Sequence, residues 1–286
     1  MAGRLSLLTI SLAVAVGAYF RPAILDQITA ALHQHGVQLP FPISQPGPPP
    51  QPPSPPPTDT PTSCPPHAYT TQLISLDPLL IYITNFTTPA ERTSLIATGL
   101  PLLEPSPIIG APHLAQARTS WSAPLPDDDA TVTCILSRAA AFLGPSLLTL
   151  GRDEMGSAQM VRYTAGQKFD VHTDWFARPR LLDEDGAAGR RRLYNRVATI
   201  FAVLEADGVE GGETWFPHVQ AGEGEGWRAL EGGTAFRAVP GNALFWVNLL
   251  ASGTGDARTA HAGLPVEGGF KTALNIWPRV FFGPDA

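Results

Sequence analysis

The chain has 286 residues, of which 44% are hydrophobic and 15% are charged, and its formal net charge is −6. This length and hydrophobic content favour one folded domain with an extension. The acidic balance without a basic stripe argues against a nucleic-acid binder. The basic run over residues 190–192 follows an acidic run over residues 183–185, a pairing that is typical of a solvated loop.

Residues 1–24 are predicted to be a signal-anchor or a cleaved signal peptide. Arg4 precedes an uncharged, mostly apolar run over residues 5–20, and Arg21 follows it. The run is shorter than the roughly 20 residues of a comfortable bilayer span. A retained anchor is favoured over cleavage because apolar character resumes over residues 23–32. A soluble amphipathic helix is the weaker alternative, since the only polar residues in the run are Ser and Thr.

A proline-rich linker is predicted over residues 25–66. From residue 40 onwards proline dominates, and such a segment builds neither a helix nor a sheet core. We interpret it as an extended spacer that holds a folded domain away from a membrane. The alternative is a docking or self-substrate segment for a proline-binding site.

The chain contains two cysteines, Cys64 and Cys134. Neither belongs to a CxxC pair, so a zinc ribbon or a thioredoxin-type site is not supported. In an oxidising compartment the two could form one disulfide that ties the start of the domain to its helical region. Two separate buried thiols are the alternative, and the sequence leaves the choice open.

The first predicted elements of the folded part are one strand and two helices. A β-rich run covers residues 79–86. Thr88-Pro89-Ala90-Glu91 then has the cap, proline and glutamate of a helix start, and this helix should end near residue 98. A second helix is predicted over residues 130–143, where apolar residues recur at helical spacing and Gly144-Pro145 follows.

Beyond residue 150, short apolar runs alternate with turns that contain Gly and Pro. Candidate strands cover residues 158–164, 198–204, 243–248 and 271–280. Repeated short strands of this kind are typical of a sandwich, barrel or jelly roll. The predicted class is therefore α+β with a mainly β core, in which two helices precede an antiparallel β-core.

The candidate metal ligands are His172 and Asp174, with His261 far downstream. Side chains at i and i+2 of an extended segment point to the same side, so the first two can hold one ion. A histidine on a neighbouring strand would complete the two-histidine, one-carboxylate triad of non-heme Fe(II) oxygenases. The spacing alone also fits a surface histidine near an aspartate, or another metal.

Lys271 is the candidate anchor for a keto-acid co-substrate. It follows His261 by ten residues, in an apolar strand-like run, and Lys168 is the only other lysine. A buried ammonium is costly without an anionic partner, and it serves as a point charge for a carboxylate. An exposed lysine at a strand edge is the alternative.

Several motifs in the right order resemble the catalytic domains of prolyl 4-hydroxylases, over roughly residues 73–280. The segment 162–174 (RYTAGQKFDVHTD) is similar to the iron-binding motif of that family. Further matches are Arg118-Thr119-Ser120, Gly211-Gly212-Glu213-Thr214 with Phe216-Pro217, the segment 240–245 (PGNALF), and the stretch from His261-Ala262-Gly263 to Lys271.

The resemblance implies a catalytic domain over residues 67–286, with an Fe(II)/2-oxoglutarate dioxygenase core over about residues 155–280. The implied fold is a double-stranded β-helix, or jelly roll, with supporting N-terminal helices. The implied iron ligands are His172, Asp174 and His261. Lys271 would bind the distal carboxylate of 2-oxoglutarate, and the other implied lining residues of that pocket are Tyr163, Thr214 and Trp277.

The activity that the resemblance implies is hydroxylation of an unactivated C–H bond, most simply peptidyl-proline 4-hydroxylation. Iron, 2-oxoglutarate, O2 and ascorbate would be the cofactors, succinate and CO2 the co-products, and a proline-containing peptide the partner. The catalytic domain would lie in the lumen of the endoplasmic reticulum or secretory pathway. The alternatives are a small-molecule or other side-chain substrate, or a non-catalytic metal-binding module. The charged segment 177–195 gives no specificity signal.

Overall fold

The computed structural model describes residues 64–106, 117–144 and 155–286. The predicted signal-anchor and all but the last residues of the predicted linker lie outside the described residues. The described residues all belong to one compact unit. Within the described ranges, no helix has both the length and the apolar character needed to cross a membrane.

The described residues form sixteen strands and three α-helices. The strands are β1 Thr70–Leu76, β2 Leu79–Thr84, β3 Glu104–Pro105, β4 Trp121–Pro124, β5 Gln159–Thr164, β6 Phe169–His172, β7 Arg180–Leu181, β8 Leu193–Arg196, β9 Ala198–Gly211, β10 Thr214–Phe216, β11 Trp227–Leu230, β12 Gly233–Phe236, β13 Ala243–Val247, β14 His261–Gly263, β15 Val266–Ile276 and β16 Arg279–Phe282. The helices are α1 Pro89–Gly99, α2 Ala130–Leu143 and α3 Asp183–Ala187, with 3₁₀ turns at Leu100–Leu102 and Ala257–Thr259.

The strands form three sheets in which every pairing is antiparallel. The large sheet has eight strands in the order β1-β2-β13-β9-β15-β5-β4-β3. The small sheet has five strands in the order β11-β12-β10-β14-β6, and the third sheet has the order β16-β8-β7. The mainly β, antiparallel class predicted from the sequence is confirmed.

The large sheet is covered on both faces, as strand β13 shows. Alternate residues of a strand point to opposite faces. Phe245 belongs to the core shared with the two long helices. Leu244 and Trp246 instead belong to a second core, with Phe216 and Phe236 of the small sheet. The large sheet therefore packs between a helical layer and the small sheet, and β13 is apolar on both sides.

Helices α1 and α2 begin where their capping residues predict. Thr88 and Glu91 form a reciprocal capping box at the start of α1, with Pro89 in its first turn. Asp129 caps α2 through bonds to the amides of Thr131 and Val132. The predictions of both helices are confirmed within one residue at each end.

Two covalent or ionic links join α2 to the rest of the domain. Arg138 contacts Glu91 at 2.6 Å and donates a hydrogen bond to the carbonyl of Phe86 at 2.8 Å. Cys64 and Cys134 form a disulfide, so of the two alternatives left by the sequence, the structure contains the cross-link. The disulfide ties the segment before the sheet to α2, and Arg138 ties α2 to α1 and to the turn between β2 and α1.

Three predictions from the sequence need correction. The helices do not precede the whole β-core, because β1 and β2 come first and pair into the large sheet. The strand predicted over residues 271–280 begins at Val266 and stops at Ile276, before Pro278, which has no amide hydrogen to donate. Residues 183–192 are not simply solvated, since Asp185 is buried and pairs with Arg190 and Arg192 at 2.7 Å each.

We expect Asp129→Ala to lower the free energy of unfolding by about 1 kcal/mol, because two amide donors of α2 lose their acceptor. Asp128→Ala is the matched control, since this neighbouring aspartate is exposed. Urea denaturation of both variants measures the difference. Equal stability of the two variants would contradict the capping role.

Candidate active site

The three candidate metal ligands meet where strands β6 and β14 pair. His261 lies directly opposite His172 in the antiparallel register, and Asp174 follows two residues after the end of β6. One ligand atom from each side chain lies within 4.8 Å of the others. The Nε2 atoms of His172 and His261 lie 3.8 Å and 3.9 Å from oxygens of Asp174. Two imidazoles and a carboxylate in this arrangement can hold one ion.

Both histidine rings are oriented by backbone carbonyls. The Nδ1 atom of His172 lies 2.8 Å from the carbonyl oxygen of Asp170, and that of His261 lies 3.0 Å from the carbonyl oxygen of Thr259. A carbonyl only accepts hydrogen bonds, so the proton of each neutral ring belongs on Nδ1. The Nε2 lone pairs are then free to bind a metal.

A hydrogen-bond chain holds the carboxylate of Asp174. Thr199 donates to its Oδ2 atom at 2.7 Å, and the indole of Trp277 donates to the same atom at 3.1 Å. Asn248 in turn donates to the hydroxyl of Thr199 at 2.9 Å. Because Oδ2 already accepts two hydrogen bonds, the carboxylate is fixed in one orientation.

Aromatic side chains restrict the movement of both rings. Phe169 stacks on His172 with 3.5 Å between the ring centroids. His261 lies between Phe216, at 5.2 Å, and Trp246, at 4.7 Å. Both imidazoles are therefore held by aromatic packing as well as by the hydrogen bonds at their Nδ1 atoms.

The electrostatics keep His172 and Asp174 in the protonation states that metal binding requires. Burial, together with the neighbouring His261, lowers the pKa of His172 to about 3. Burial alone would raise the pKa of Asp174, but the two histidines, Arg196 and the Thr199 hydrogen bond lower it to about 2. At neutral pH, His172 is neutral and Asp174 is an anion, as metal ligation requires.

Lys271 is almost fully buried, with 1% of its surface exposed. Its ammonium donates to the carbonyl of Gly212 and lies 5.1 Å from the ring of Tyr163. Burial lowers the pKa of Lys271 to about 8, and the charge of Glu213 opposes that shift. Glu213 itself binds Arg228 at 2.8 Å. Among the described residues no carboxylate pairs with Lys271, so its environment fits an anionic ligand.

Gly211 and Gly212 let the chain approach Lys271. Both have positive φ, +67° in each case, a backbone region that glycine adopts without strain. A Cβ atom on Gly211 would lie 2.5 Å from the carbonyl oxygen of Pro265. The turn after β9 therefore needs glycine, and it directs the Gly212 carbonyl at the ammonium.

One cavity of about 890 Å³ contains all the candidate site residues. They are His172, Asp174, His261, Lys271, Tyr163, Thr214 and Trp277. The structure thus brings together every residue that the sequence singled out. The distribution of roles among them stays a prediction.

Several supporting residues were not found from the sequence. Thr199 and Asn248 carry no motif. Thr199 contacts Asp174, and Asn248 reaches Thr199 because β9 and β13 pair beside the site. Arg196 packs on the ring of Trp277 at 3.6 Å and also lines the cavity. Its position after a charged loop gave no indication in the sequence that it would line the site. Such residues become visible only when non-adjacent strands are assembled.

Comparison with known proteins identifies the chemistry of this cavity. The family model of the 2OG-Fe(II) oxygenase superfamily matches residues 158–279, which include the triad and Lys271. The chain is a 2-oxoglutarate-dependent dioxygenase that resembles the prolyl 4-hydroxylases. Its cofactors are Fe(II), 2-oxoglutarate and O2.

The dioxygenase has relatives in plants and animals. It is 27% identical to prolyl 4-hydroxylase 13 of Arabidopsis thaliana, over 72% of this chain and 73% of the relative. It is 29% identical to prolyl 4-hydroxylase 1 of the same plant, over 73% and 71%. Identity to prolyl 4-hydroxylase subunit alpha-2 of Gallus gallus is 33%, over 60% of this chain but 28% of that subunit.

Among solved structures, the dioxygenase aligns with a viral collagen prolyl hydroxylase from Paramecium Bursaria Chlorella virus-1 in complex with 2OG. The TM-score is 0.49 and the sequence identity is 22%, over 70% of this chain and 96% of that chain.

We expect Thr199→Val to weaken Fe(II) binding by the dioxygenase by about tenfold to a hundredfold, because Asp174 loses a hydrogen bond that orients it. Thr234→Val is the matched control, since Thr234 is equally buried but donates to the carbonyl of Val219 instead of to a triad residue. Metal titration under nitrogen compares the variants. Unchanged affinity in Thr199→Val would contradict the orienting role.

Proposed function

We propose that the dioxygenase hydroxylates a proline residue of a peptide or protein. The observation that carries this proposal is the single cavity in which the two-histidine, one-carboxylate cluster and the unpaired Lys271 lie together. The choice of proline as the target is supported by the relatives, which are named prolyl 4-hydroxylases. A small molecule or another side chain is the alternative target.

We assign iron to His172, Asp174 and His261. The donor set suits Fe(II), since two nitrogens and one carboxylate oxygen leave coordination positions open for further ligands. The protein already makes hydrogen bonds to the Nδ1 atom of each histidine and to the Oδ2 atom of Asp174. These bonds pre-orient the ligands before any metal arrives.

We assign the distal carboxylate of 2-oxoglutarate to Lys271. The ammonium is buried without a carboxylate partner among the described residues, so a bound anion would offset its desolvation. Burial raises the pKa of Tyr163, so its phenol stays a neutral donor on the cavity wall. Thr214 and Trp277 line the same cavity and complete the assigned pocket.

When bound, iron and 2-oxoglutarate supply the oxidation that inserts one oxygen atom of O2 into an unactivated C–H bond, with succinate and CO2 as co-products. The chain supplies orientation and exclusion of water. Phe169 stacks on the face of His172 and Phe216 on the face of His261. Ascorbate, in this proposal, is the external reductant that keeps the iron reduced.

We also infer that the large and small sheets are the two layers of a double-stranded β-helix. Their antiparallel pairing and the shared core of Leu244, Trp246, Phe216 and Phe236 support this fold. A location in the secretory pathway is part of the same proposal. It is supported by the disulfide between Cys64 and Cys134, because such bonds persist in oxidising compartments.

We expect residues 64–286 to form succinate from 2-oxoglutarate with Fe(II), O2 and ascorbate, faster when a proline-containing peptide is present. Mass spectrometry should show one added oxygen atom on the peptide. His172→Ala should abolish both signals, because one metal ligand is lost. Succinate formation that peptides do not stimulate would favour the small-molecule alternative. A folded, iron-bound protein without turnover would contradict catalysis.

We expect the affinity for 2-oxoglutarate to fall about tenfold per pH unit above pH 8, near the pKa of Lys271. The protonated ammonium binds the carboxylate, so binding is strongest below that pKa and is lost as the pH rises. In Lys271→Arg the fall should disappear, because a guanidinium stays charged in this range. Calorimetry under nitrogen measures the affinity.

The matched control for this pH dependence is Lys168→Met, which removes the other lysine of the chain. Lys168 is partly exposed and pairs with Asp170 at 2.7 Å. Its variant should keep the decline above pH 8. An identical decline in Lys271→Arg would show that another group causes it.

A further inference from the structure

Four arginines line the cavity, and among the described residues no carboxylate oxygen lies within 4.0 Å of their nitrogens. They are Arg118, Arg178, Arg180 and Arg196. Elsewhere in the same described ranges, Arg92, Arg237 and Arg279 form no ion pair within 4.0 Å, and the other seven arginines pair with carboxylates: Arg138, Arg162, Arg190, Arg191, Arg192, Arg228 and Arg258. In a chain of net charge −6, four of the seven described arginines that form no ion pair therefore line one cavity.

The contacts of Arg118, Arg180 and Arg196 leave most of their donors available, although Arg196 donates to the backbone carbonyl of Asp174 at 3.4 Å. Arg118 bonds the hydroxyl of Ser120 at 3.1 Å and lies 4.9 Å from the ring of Phe169. Arg180 and Arg196 lie 4.2 Å and 4.9 Å from the ring of Phe176. Aromatic faces hold the guanidinium planes without neutralising their charge.

The two acidic residues in the cavity wall already have partners other than these arginines. Asp174 belongs to the triad, and Asp170 pairs with Lys168 at 2.7 Å. A bound iron adds positive charge, while 2-oxoglutarate is assigned to Lys271. The four arginines therefore give a positive potential to the part of the cavity that the substrate would enter, and this potential favours binding of an anion there.

We propose that the substrate is an acidic peptide, whose carboxylates beside the hydroxylated residue pair with Arg178 and Arg180. This inference rests on the proposed peptide hydroxylation and names the class of peptide. Both arginines belong to the charged segment 177–195, and Arg178 is exposed. Guanidinium groups bind carboxylates in a bidentate geometry, which selects glutamate or aspartate over their amides.

A peptide is favoured over a nucleic acid because the rest of the molecule is acidic, which would repel a long polyanion. The four arginines also lie around one cavity of about 890 Å³ instead of along a stripe. A short acidic segment fits a positive potential that is confined in this way.

The test compares two fluorescein-labelled peptides that differ only in the residues flanking one proline, glutamate in one and glutamine in the other. Binding is measured by fluorescence anisotropy with the protein loaded with Fe(II) and 2-oxoglutarate under nitrogen, so that no turnover occurs. We expect the glutamate peptide to bind about tenfold more tightly. The preference should shrink at high salt, which screens the ion pairs.

The double variant Arg178→Gln/Arg180→Gln should lose most of this preference. Arg191→Gln is the matched control, because Arg191 belongs to the same segment but lies outside the cavity wall and its side chain is 75% exposed. The control should keep the full preference. Thermal unfolding of each variant checks that the fold is intact.

Equal binding of the two peptides, or binding of neither, would overturn the inference. A preference that survives in the double variant would overturn the assignment to Arg178 and Arg180. Stronger displacement of the label by a short oligonucleotide than by the unlabelled glutamate peptide would also overturn it. Preferred binding without hydroxylation after O2 is admitted would support the acidic class and contradict proline as the target.

Discussion

The site depends on one strand pairing, between β6 and β14. This pairing places His261 directly opposite His172, although the two are far apart in the chain. Asp174 then needs only the short turn after β6 to reach both rings. A shift of the register by one residue would move His261 to the other face of the sheet and dismantle the cluster.

The large sheet supplies further side chains of the site. Its strand β9 carries Thr199, which holds Asp174, and its strand β15 carries Lys271. The small sheet packs onto the same face through Phe216 and Trp246, which also enclose His261. Core packing and ligand positioning therefore use the same aromatic side chains, so the geometry of the site is coupled to the stability of the core.

The charges of the cavity follow from its burial. Lys271 and Asp174 are both taken out of water, which is unfavourable for each unless a partner of opposite charge is near. Asp174 has the histidines, Arg196 and Thr199. Among the described residues Lys271 contacts a carbonyl and aromatic rings, and the carboxylate nearest in effect, Glu213, already pairs with Arg228. The charge of Asp174 is therefore stabilised by the protein itself, whereas the charge of Lys271 would be stabilised by a bound anion.

The sequence by itself predicted the two long helices and the mainly β class, because capping boxes and periodicity are local. Residue type and spacing indicated His172, Asp174, His261 and Lys271, whereas Tyr163, Thr214 and Trp277 were indicated only by the family resemblance. The sequence also indicated the family through motifs in order. Only the tertiary structure decided that β1 and β2 precede the helices within the large sheet, and that Thr199, Asn248 and Arg196 lie beside the ligands. It also joined Cys64 to Cys134 and buried Asp185. These features depend on contacts between distant segments, and local residue patterns carry no information about such contacts.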